Sequence, residues 1–366
     1  MTIVVVVGNR PQFIKYAPVY AAFLQANAPL FLIHSGQHND DDMSGIFFRD
    51  LGLPDPDERY AVTSTTHAGM TAEILCNVEN SLLAQKPDGV IVFGDTNTTL
   101  GAVLAASKLN IPIAHIEAGP RTGDKSTPEE QNRIVADHLS TFRFCPDQMS
   151  VEALEKEGIT SGVVFSGDTM YDAYLRFSDL PVPRTDNLVS RLQLGSAPFS
   201  LLTVHRPVNV DTQASLQGLL ALLQAWPEIV VWPIHPRTKA ACLRFSLLEE
   251  FEKIDNLRII PPVGYLDMVA LLKACRIVVT DSGGVQKEAF FASKPCLTLD
   301  TTTPWPALES DGWICLEGNC NDLSVQATAS LAKNLSAPMD AKSAIFGNGD
   351  AAMIIRDTLL NAGWCP

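Results

Sequence analysis

Short apolar segments alternate with longer segments of helical periodicity along most of the chain. The apolar segments are rich in β-branched residues, which predicts strands buried on both faces of a sheet. In the segments between them, such as 10–26 and 98–109, apolar residues recur at helical spacing. The predicted strands are 2–7, 29–33, 89–93, 111–116 and 163–165, then 199–204, 229–234, 257–262, 276–280 and 295–299. This alternation predicts an α/β fold with doubly wound parallel sheets.

The length of the chain predicts two domains. At 366 residues it exceeds the size at which a single hydrophobic core usually keeps growing. The segment 178–186, SDLPVPRTD, has two prolines and no periodicity and is the predicted linker. We expect Rossmann-like domains at 1–177 and 186–348, and a final helix in 349–366 that could pack back on either domain, the N-terminal one being the candidate. The carboxyl ends of both sheets would then line a central cleft that binds the ligand.

Composition and charge exclude several classes of partner. The formal net charge is −14, so the chain would gain nothing from phosphate neutralisation and no nucleic-acid partner is expected. The eight cysteines form no C-x-x-C pair and read as reduced thiols. The first apolar run is short and lacks a basic flank, which indicates a first strand and not a signal peptide. No apolar run reaches the roughly 18 residues of a membrane span, so we expect a cytoplasmic protein.

Charged residues follow two of the predicted strands in the first half. Arg10 and Lys15 lie in GNRPQFIK at the start of a helix, where backbone amides already favour anions. The alternative is an ordinary solvated first turn. Asp95 and Thr96 follow the strand ending in VF, and they are either site residues or a simple helix N-cap.

A dense charged segment, HIEAGPRTGDKSTPEEQNR, follows the strand at 111–116. Glu117 lies one residue past this strand and should be partly desolvated, which raises a carboxyl pKa toward the range useful for proton transfer. Glu129 and Glu130 follow Pro128 at a helix start, a placement that the helix dipole alone explains. Arg133 comes one turn later, so a surface ion pair is also possible.

In the second half, His205 and Arg206 follow the strand at 199–204. A histidine titrates near neutral pH and is a natural proton carrier, although a lone histidine at a strand end is more often structural. None of the seven histidines pairs with cysteine or carboxylate at ligand spacing, so no metal is expected.

A glycine turn in VVTDSGGVQKEAF is the clearest signal of the second half. Gly283 and Gly284 let backbone amides approach a phosphate, Ser282 is a further donor, and Glu288 could bind ribose hydroxyls. The alternative is a plain glycine turn before a helix. The chain has neither a Walker lysine pattern nor G-x-G-x-x-G, which argues against an ATPase or a dehydrogenase.

Taken in order, these segments resemble the UDP-N-acetylglucosamine 2-epimerase family, whose fold is that of the B-type glycosyltransferases. The matching segments run from residue 8 to about residue 350: GNRPQFIK, SGQH, FGDTNTTLGA, HIEAGPRTGD, PEEQNR, SGDTMYDA, HRPVN, IHPRT, DSGGVQKEA and FGNGDAA. The resemblance implies a UDP-sugar substrate, no cofactor, a homodimer and a role in supplying cell-surface polysaccharide. It also implies elimination of UDP as the C2 proton leaves, a glycal intermediate, and re-addition of UDP after reprotonation on the other face.

The resemblance also assigns candidate roles to residues. The acid–base candidates that it implies are Asp95, Glu117, Glu129 and His205. The cations that match the diphosphate contacts of the family are Arg10, Lys15, Arg133 and Arg206. The residues at its phosphate and ribose positions are Ser282, Gly283, Gly284 and Glu288, with Met268 either lining the uracil pocket or lying in the core.

Four positions depart from the family pattern. Val208 stands where a Glu is usual, and Asp300, Pro304 and Ala307 replace the Arg and two Glu of an R-x-x-T-E-x-P-E loop. The resemblance therefore leaves open an epimerase of a modified nucleotide sugar or an enzyme that hydrolyses its substrate. A glycosyltransferase and a non-catalytic nucleotide-sugar binder are the remaining alternatives.

Overall fold

Each half of the chain builds its own parallel β-sheet. The computed structural model describes residues 2–37, 48–178, 188, 192, 194, 197–335 and 344–364. The chain divides into a first unit, Met1–Arg176 with Ser343–Pro366, and a second unit, Phe177–Lys342. Apart from Ser178, the predicted linker lies outside the described residues.

The first unit contains a seven-stranded sheet with the order β3-β2-β1-β4-β5-β6-β7. Its strands are β1 Ile3–Val7, β2 Leu30–His34, β3 Glu58–Arg59, β4 Gly89–Phe93, β5 Ile113–Ile116, β6 Phe142–Cys145 and β7 Val163–Phe165. Its helices are α1 Arg10–Gln25, α2 His67–Gln85, α3 Asn97–Lys108, α4 Pro128–Leu139, α5 Gln148–Lys156, α6 Thr169–Ser178, which ends in the second unit, and the C-terminal α15 Ala351–Asn361.

The second unit contains a six-stranded sheet with the order β10-β9-β8-β11-β12-β13. Its strands are β8 Phe199–Thr203, β9 Ile229–Pro233, β10 Leu257–Ile260, β11 Ile277–Thr280, β12 Cys296–Thr298 and β13 Ile314–Leu316. Its helices are α7 Pro207–Val210, α8 Gln213–Gln224, α9 Pro236–Arg244, α10 Leu248–Glu252, α11 Tyr265–Ala274, α12 Gly283–Phe291, α13 Pro306–Ser310 and α14 Val325–Asn334.

The apolar strands are buried as predicted. Every residue of β1, β4 and β5 is buried, which is why these strands show no polar alternation. All described strand pairs are parallel, so the prediction of two doubly wound sheets is confirmed. The sequence did not predict β3, β6 and β13: β3 is a pair of charged residues, Arg143 interrupts the apolar run of β6, and β13 has only three residues.

The strand order reverses at one place in each sheet. In the first unit the reversal lies between β1 and β4, and in the second between β8 and β11. Open α/β sheets bind their ligands at such a switch point, beyond the carboxyl ends of the strands. Charged residues follow β1, β4 and β8, and the glycine turn follows β11, whereas the dense charged segment follows β5, the neighbour of β4.

The C-terminal helix packs within the first unit. The backbone amides of Ala351 and Ala352 donate to the buried carboxylate of Asp172 at 3.3 and 2.7 Å. Beyond the helix, Trp364 is buried against Gly89 and meets the ring of Phe142 edge-on at 5.8 Å. The last segment of the chain thereby covers the amino end of β4.

Candidate active site

The first unit brings together Lys15, in the helix that follows β1, and Glu117, which follows β5. The Lys15 Nζ donates to Glu117 Oε1 at 2.7 Å, and both residues are less than a tenth exposed. Glu117 adopts a left-handed backbone conformation with φ 65°, which costs a non-glycine residue roughly 1 kcal/mol or more. Such strain is found mainly where surrounding contacts hold a functional side chain in place.

Gly94 makes room for this ion pair. It follows β4 with φ 60°, and a Cβ built there would lie 3.2 Å from Lys15 Nζ and 3.3 Å from Glu117 Oε1. Both its conformation and the close approach of the two charged groups favour glycine. The Lys15 ammonium in turn favours the ionised form of Glu117, which is the form that a general base requires.

Asp95, the residue after Gly94, binds Arg133. An Arg133 Nη2 donates to Asp95 Oδ2, and Asn132 Nδ2 donates to the Asp95 carbonyl at 2.8 Å. The N-cap of α3 is Thr96, whose side chain makes no capping hydrogen bond. Asp95 therefore forms an ion pair and is not the N-cap of α3.

Glu129 and Glu130, adjacent at the start of α4, have different environments. Glu130 is buried and accepts hydrogen bonds from the amides of Thr122 and Gly123, both at 3.0 Å. Burial opposes the charge of Glu130, but these donors and Arg133 outweigh it and hold its pKa below its usual range. Glu129 is exposed at the helix start. Glu130 thus fixes the loop at residues 122–123, whereas Glu129 is exposed to solvent.

Gln12 joins the ends of β1 and β4. Its Nε2 donates to the Phe93 carbonyl at 2.9 Å and to the hydroxyls of Thr96 and Thr99, and its Oε1 accepts from the Gly8 amide at 2.8 Å. Gln12 was not predicted as a site residue. The signal in the sequence that could have indicated it is a polar side chain between a buried strand and the first apolar turn of a helix.

A buried histidine links the Asp95 and Glu117 loops. His115 lies 2.7 Å from the Asp137 carboxylate through Nδ1 and 2.7 Å from the Gly94 carbonyl through Nε2. Asp137 also accepts from the Gly119 amide at 3.2 Å and pairs with Arg121 at 2.7 Å. This network was not predicted, because its members are separated by about 20 residues and differ in type.

In the second unit, His205 and Arg206 follow β8, and both are partly exposed. His205 Nδ1 lies 3.3 Å from Asp281, the residue after β11. Arg206 pairs with Asp300, the residue that reverses the charge of the family pattern. Asp300 also accepts from the amides of Thr301 and Thr302 at 2.7 and 3.3 Å.

The glycine turn follows β11 at the other side of the switch point. Ser282 caps α12 by accepting from the Val285 amide at 3.5 Å, and Gly283 and Gly284 form the first turn of that helix. The amides of a first turn have no carbonyl to reach within the helix, so they point toward an incoming anion. Glu288 is buried one turn later.

The loop at residues 300–307, which differs from the family pattern, packs directly on the glycine turn. Trp305 Nε1 donates to the Gly283 carbonyl at 2.8 Å, and the Lys287 Nζ lies 4.2 Å from the centre of the Trp305 ring. A Cβ at Gly283 would approach Pro304 to 3.1 Å. Substitutions in this loop therefore act on the surroundings of the glycine turn.

Three further candidate positions have different surroundings. Met268 is 3% exposed and packs in α11 near its start. Val208 is an exposed apolar residue in α7, and Ala307 is half-buried in α13. Arg10 is partly exposed as the first residue of α1, after the N-cap Asn9.

The residues that the structure describes contain no group of three His, Cys, Asp or Glu side chains placed to hold a metal ion. Among their helices, none combines the length and the apolar character that crossing a membrane requires.

The two parallel sheets, with charged residues beyond both switch points, define an α/β protein of the B-type glycosyltransferase fold. The sequence profile of the family described as UDP-N-acetylglucosamine 2-epimerase matches residues 23–360. The chain belongs to this family.

Relatives match the chain along nearly its whole length. A UDP-N-acetylglucosamine 2-epimerase homolog of Methanococcus maripaludis is 39% identical over 361 residues, covering 99% of this chain and all of that protein. The UDP-2,3-diacetamido-2,3-dideoxy-D-glucuronate 2-epimerase of Pseudomonas aeruginosa is 40% identical over 368 residues, covering 98% and 99%. The crystal structure of Methanocaldococcus jannaschii UDP-GlcNAc 2-epimerase in complex with UDP-GlcNAc and UDP has a TM-score of 0.90 and 34% identity, covering 99% of this chain and 100% of that one.

Proposed function

We propose that this enzyme inverts C2 of a UDP-N-acetylhexosamine by eliminating UDP and adding it back. A base removes the C2 proton, the C–H electron pair forms the C1–C2 double bond of a glycal, and UDP leaves with the electrons of the C1–O bond. A proton then reaches C2 from the opposite face, and a UDP oxygen bonds to C1 again. Asp95, Glu117, Glu129 and His205 are the proposed proton carriers.

The observation that carries this proposal is the pair of cation-bound carboxylates, Asp95 and Glu117, that follow the neighbouring strands β4 and β5. Glu117 is bound to Lys15 and Asp95 to Arg133, so a cation holds each carboxylate in place. Removal of an unactivated C–H proton needs a base that is ionised and held in place. A nucleotide-sugar binder without catalysis would not need a buried carboxylate, Glu117, paired with a buried lysine at this position.

The leaving diphosphate needs positive charge that does not have to reorganise. Lys15, Arg133 and Arg206 each bind a carboxylate, so the first-turn amides at Gly283 and Gly284 in the second unit are favoured as a phosphate site. This distribution modifies the role that the resemblance gives to Lys15. We propose that Lys15 serves Glu117 first and the diphosphate only indirectly.

A modified nucleotide sugar is the second candidate substrate. The Pseudomonas aeruginosa relative is named for a diacetamido-glucuronate substrate and is about as similar to this chain as the relative named for UDP-N-acetylglucosamine 2-epimerase. Asp300 also binds Arg206 beside the glycine turn, at a position where the family pattern has a cation. We infer that the sugar, and not the elimination chemistry, is the variable part of this site.

Proton NMR in D₂O tests the proposal with both UDP-N-acetylglucosamine and the diacetamido-glucuronate nucleotide. Deuterium at C2 together with the epimeric UDP-sugar supports the non-hydrolysing reaction, and the better substrate identifies the sugar. Free sugar plus UDP supports the hydrolysing variant instead. Transfer of the sugar to an acceptor without exchange at C2 would make the enzyme a glycosyltransferase, and UDP binding with no turnover of either sugar would contradict the proposed reaction.

A homodimer, a cytoplasmic location and a role in supplying cell-surface polysaccharide belong to the same proposal. They are inferred from the resemblance of the chain to the family. Light scattering of the purified protein tests the dimer: a mass near 80 kDa is expected, about twice the 39.7 kDa of the chain.

A further inference from the structure

Asp281 lies beneath His205 at the second switch point. It follows β11 directly, and its side chain is completely buried. Because β8 and β11 are neighbouring parallel strands, the residues that follow them meet at the same sheet edge. Asp281 was not among the predicted site residues, which in this segment were the serine and the two glycines that follow it and Glu288.

The Asp281 carboxylate gathers donors from the segment that carries His205. Its oxygens accept from the backbone amide of His205 at 3.0 and 3.1 Å and from that of Arg206 at 2.8 Å. The Asn209 Nδ2 donates to it at 3.1 Å. His205 Nδ1 lies 3.3 Å away on the same carboxylate. One buried group therefore fixes both the backbone and the ring of His205.

Asn209 connects this carboxylate to the neighbouring strand. Its Nδ2 also donates to the Leu299 carbonyl at 2.8 Å, and its Oδ1 accepts from the Cys320 amide at 2.9 Å. Asp281 is thus held between β8, β11 and the segment that follows β12. A carboxylate held on several sides cannot turn away from the imidazole without breaking these bonds.

The charge state of Asp281 follows from these donors. Burial opposes the ionised form, but the ring of His205, the Arg206 amide and the Asn209 amide outweigh it and hold the pKa of Asp281 below its usual range. An ionised carboxylate only accepts hydrogen bonds, so the imidazole nitrogen that faces it must carry a proton. Nε2 is then the nitrogen that can gain or lose one.

We propose that Asp281 is a positioning residue that keeps the Nδ1 of His205 protonated and presents its Nε2 to the substrate. The proposal rests on the proton-transfer role of His205 in the proposed function. In the reaction, Nε2 donates or accepts one proton while the Nδ1 proton stays on the ring throughout. The His205 side chain is 38% exposed, so Nε2 is within reach of a ligand at the switch point.

Two further side chains, His235 and Arg206, lie around the ring of His205. The His235 ring is 5.0 Å from it, tilted by 33°, at the N-cap of α9. Arg206, the next residue in the chain, pairs with Asp300 and so directs its charge toward that carboxylate. Asp281 is the anion in contact with the ring, which makes it the group whose removal changes the ring most directly.

The first test reads the ring itself and needs no turnover. Long-range ¹H–¹⁵N spectra of protein labelled with ¹⁵N-histidine, assigned by the missing signal in His205→Gln, report which nitrogen carries the proton. In the wild type we expect protonated Nδ1 on the neutral ring, and in Asp281→Asn a shift toward the Nε2-protonated tautomer. A wild-type ring protonated mainly on Nε2 would overturn the proposal, whether or not the proposed reaction is correct.

The second test uses turnover in a double-mutant cycle. Asp281→Asn should lower kcat about 10²-fold, part of the roughly 10²–10⁴ that a positioned acid or base contributes, with little change in KM. In a His205→Gln background the same substitution should lower kcat less than about 3-fold, since residues that act through one another are not additive. Equal losses in both backgrounds would refute the positioning role.

Glu228→Gln is the matched control. Glu228 precedes β9, at the opposite end of the same sheet, and binds Arg276 and the Ser200 hydroxyl. Its loss should lower the stability of the second unit while leaving kcat, the pH–rate profile and the His205 tautomer unchanged. A drop in kcat equal to that of Asp281→Asn would mean that general destabilisation explains both, which would contradict the proposal.

Discussion

Replacing Lys15 by Met would leave Glu117 buried without its cation. The side chains of the pair are only 7% and 9% exposed, and methionine fills a similar volume without the charge. Removing one partner of a buried pair typically costs about 3–5 kcal/mol, because the remaining charge is uncompensated. Glu117 can avoid that cost by binding a proton.

Protonation sets the size of the effect. Adding a proton to a carboxyl of ordinary pKa about 4.3 costs about 4 kcal/mol at pH 7, and about 1.4 kcal/mol less for each pH unit below that. The variant should therefore lose up to about 4 kcal/mol at pH 7 but only about 1 kcal/mol near pH 5. The sign follows because a group that takes up a proton on folding stabilises the fold at low pH and loses that contribution as pH rises.

Urea unfolding of Lys15→Met at several pH values measures this loss, and C2 deuterium exchange measures the catalytic effect. Exchange should fall by at least about 10²-fold at pH 7, since a neutral Glu117 cannot act as a base. In Lys15→Met/Glu117→Gln, stability should return to within about 1 kcal/mol of the wild type, because no buried charge is left unpaired. Lys108→Met, at an exposed lysine in α3, should change stability by less than about 0.5 kcal/mol.

The opposite pattern would refute this reasoning. If Lys15 binds the diphosphate and does not serve Glu117, the variant should raise KM for the UDP-sugar and weaken UDP binding. Its stability should then fall little and equally at all pH values. Failure of the Glu117→Gln substitution to restore stability in the double variant would point the same way.

Three further substitutions test other contacts of the first unit. Gly94→Ala should cost about 1–2 kcal/mol and lower C2 exchange, because it combines φ 60° with a Cβ close to the ion pair; unchanged exchange would contradict this. Burial raises the pKa of Asp172 to about 6, so the folded state binds the extra proton and stability falls as pH rises from about 4 to 6; Asp172→Asn should flatten that fall in urea unfolding. Trp364→Ala should cost about 3–5 kcal/mol in the same assay, and a loss below about 1 kcal/mol would mean that the C-terminal segment does not hold the first unit together.

Most strands and their parallel arrangement could be predicted because buried parallel strands leave a simple signature, whereas the order of the strands was not predicted. Runs such as VVVV in β1 and GVIVF in β4 contain no polar residue, and each is followed by the residues that the site uses. The predicted strands and the two parallel sheets are confirmed. The short strand β6, with Arg143 in its middle, lacks that signature and was missed.

The pairing of charges could not be predicted in the same way. Lys15 and Glu117 are 102 residues apart, and nothing local indicates that they meet. Similarly, Glu129 and Glu130 have the same helix-start position in the sequence, and only the packing of the 122–123 loop distinguishes them. The candidate roles of Asp95, Glu117, Glu129 and His205 remain predictions that the proposed experiments test.

The position of the last helix has a consequence for synthesis of the protein. The second unit is inserted in the chain between residues 176 and 343 of the first unit, so the first unit is encoded in two separated pieces. During translation at about 5–20 residues per second, the second unit can begin to fold while the first still lacks α15. For that interval Asp172 lacks the amides that it binds at the start of α15, and the pocket for Trp364 stays uncovered. A nascent chain that does not yet include α15 therefore holds a first-made domain that is the last to mature.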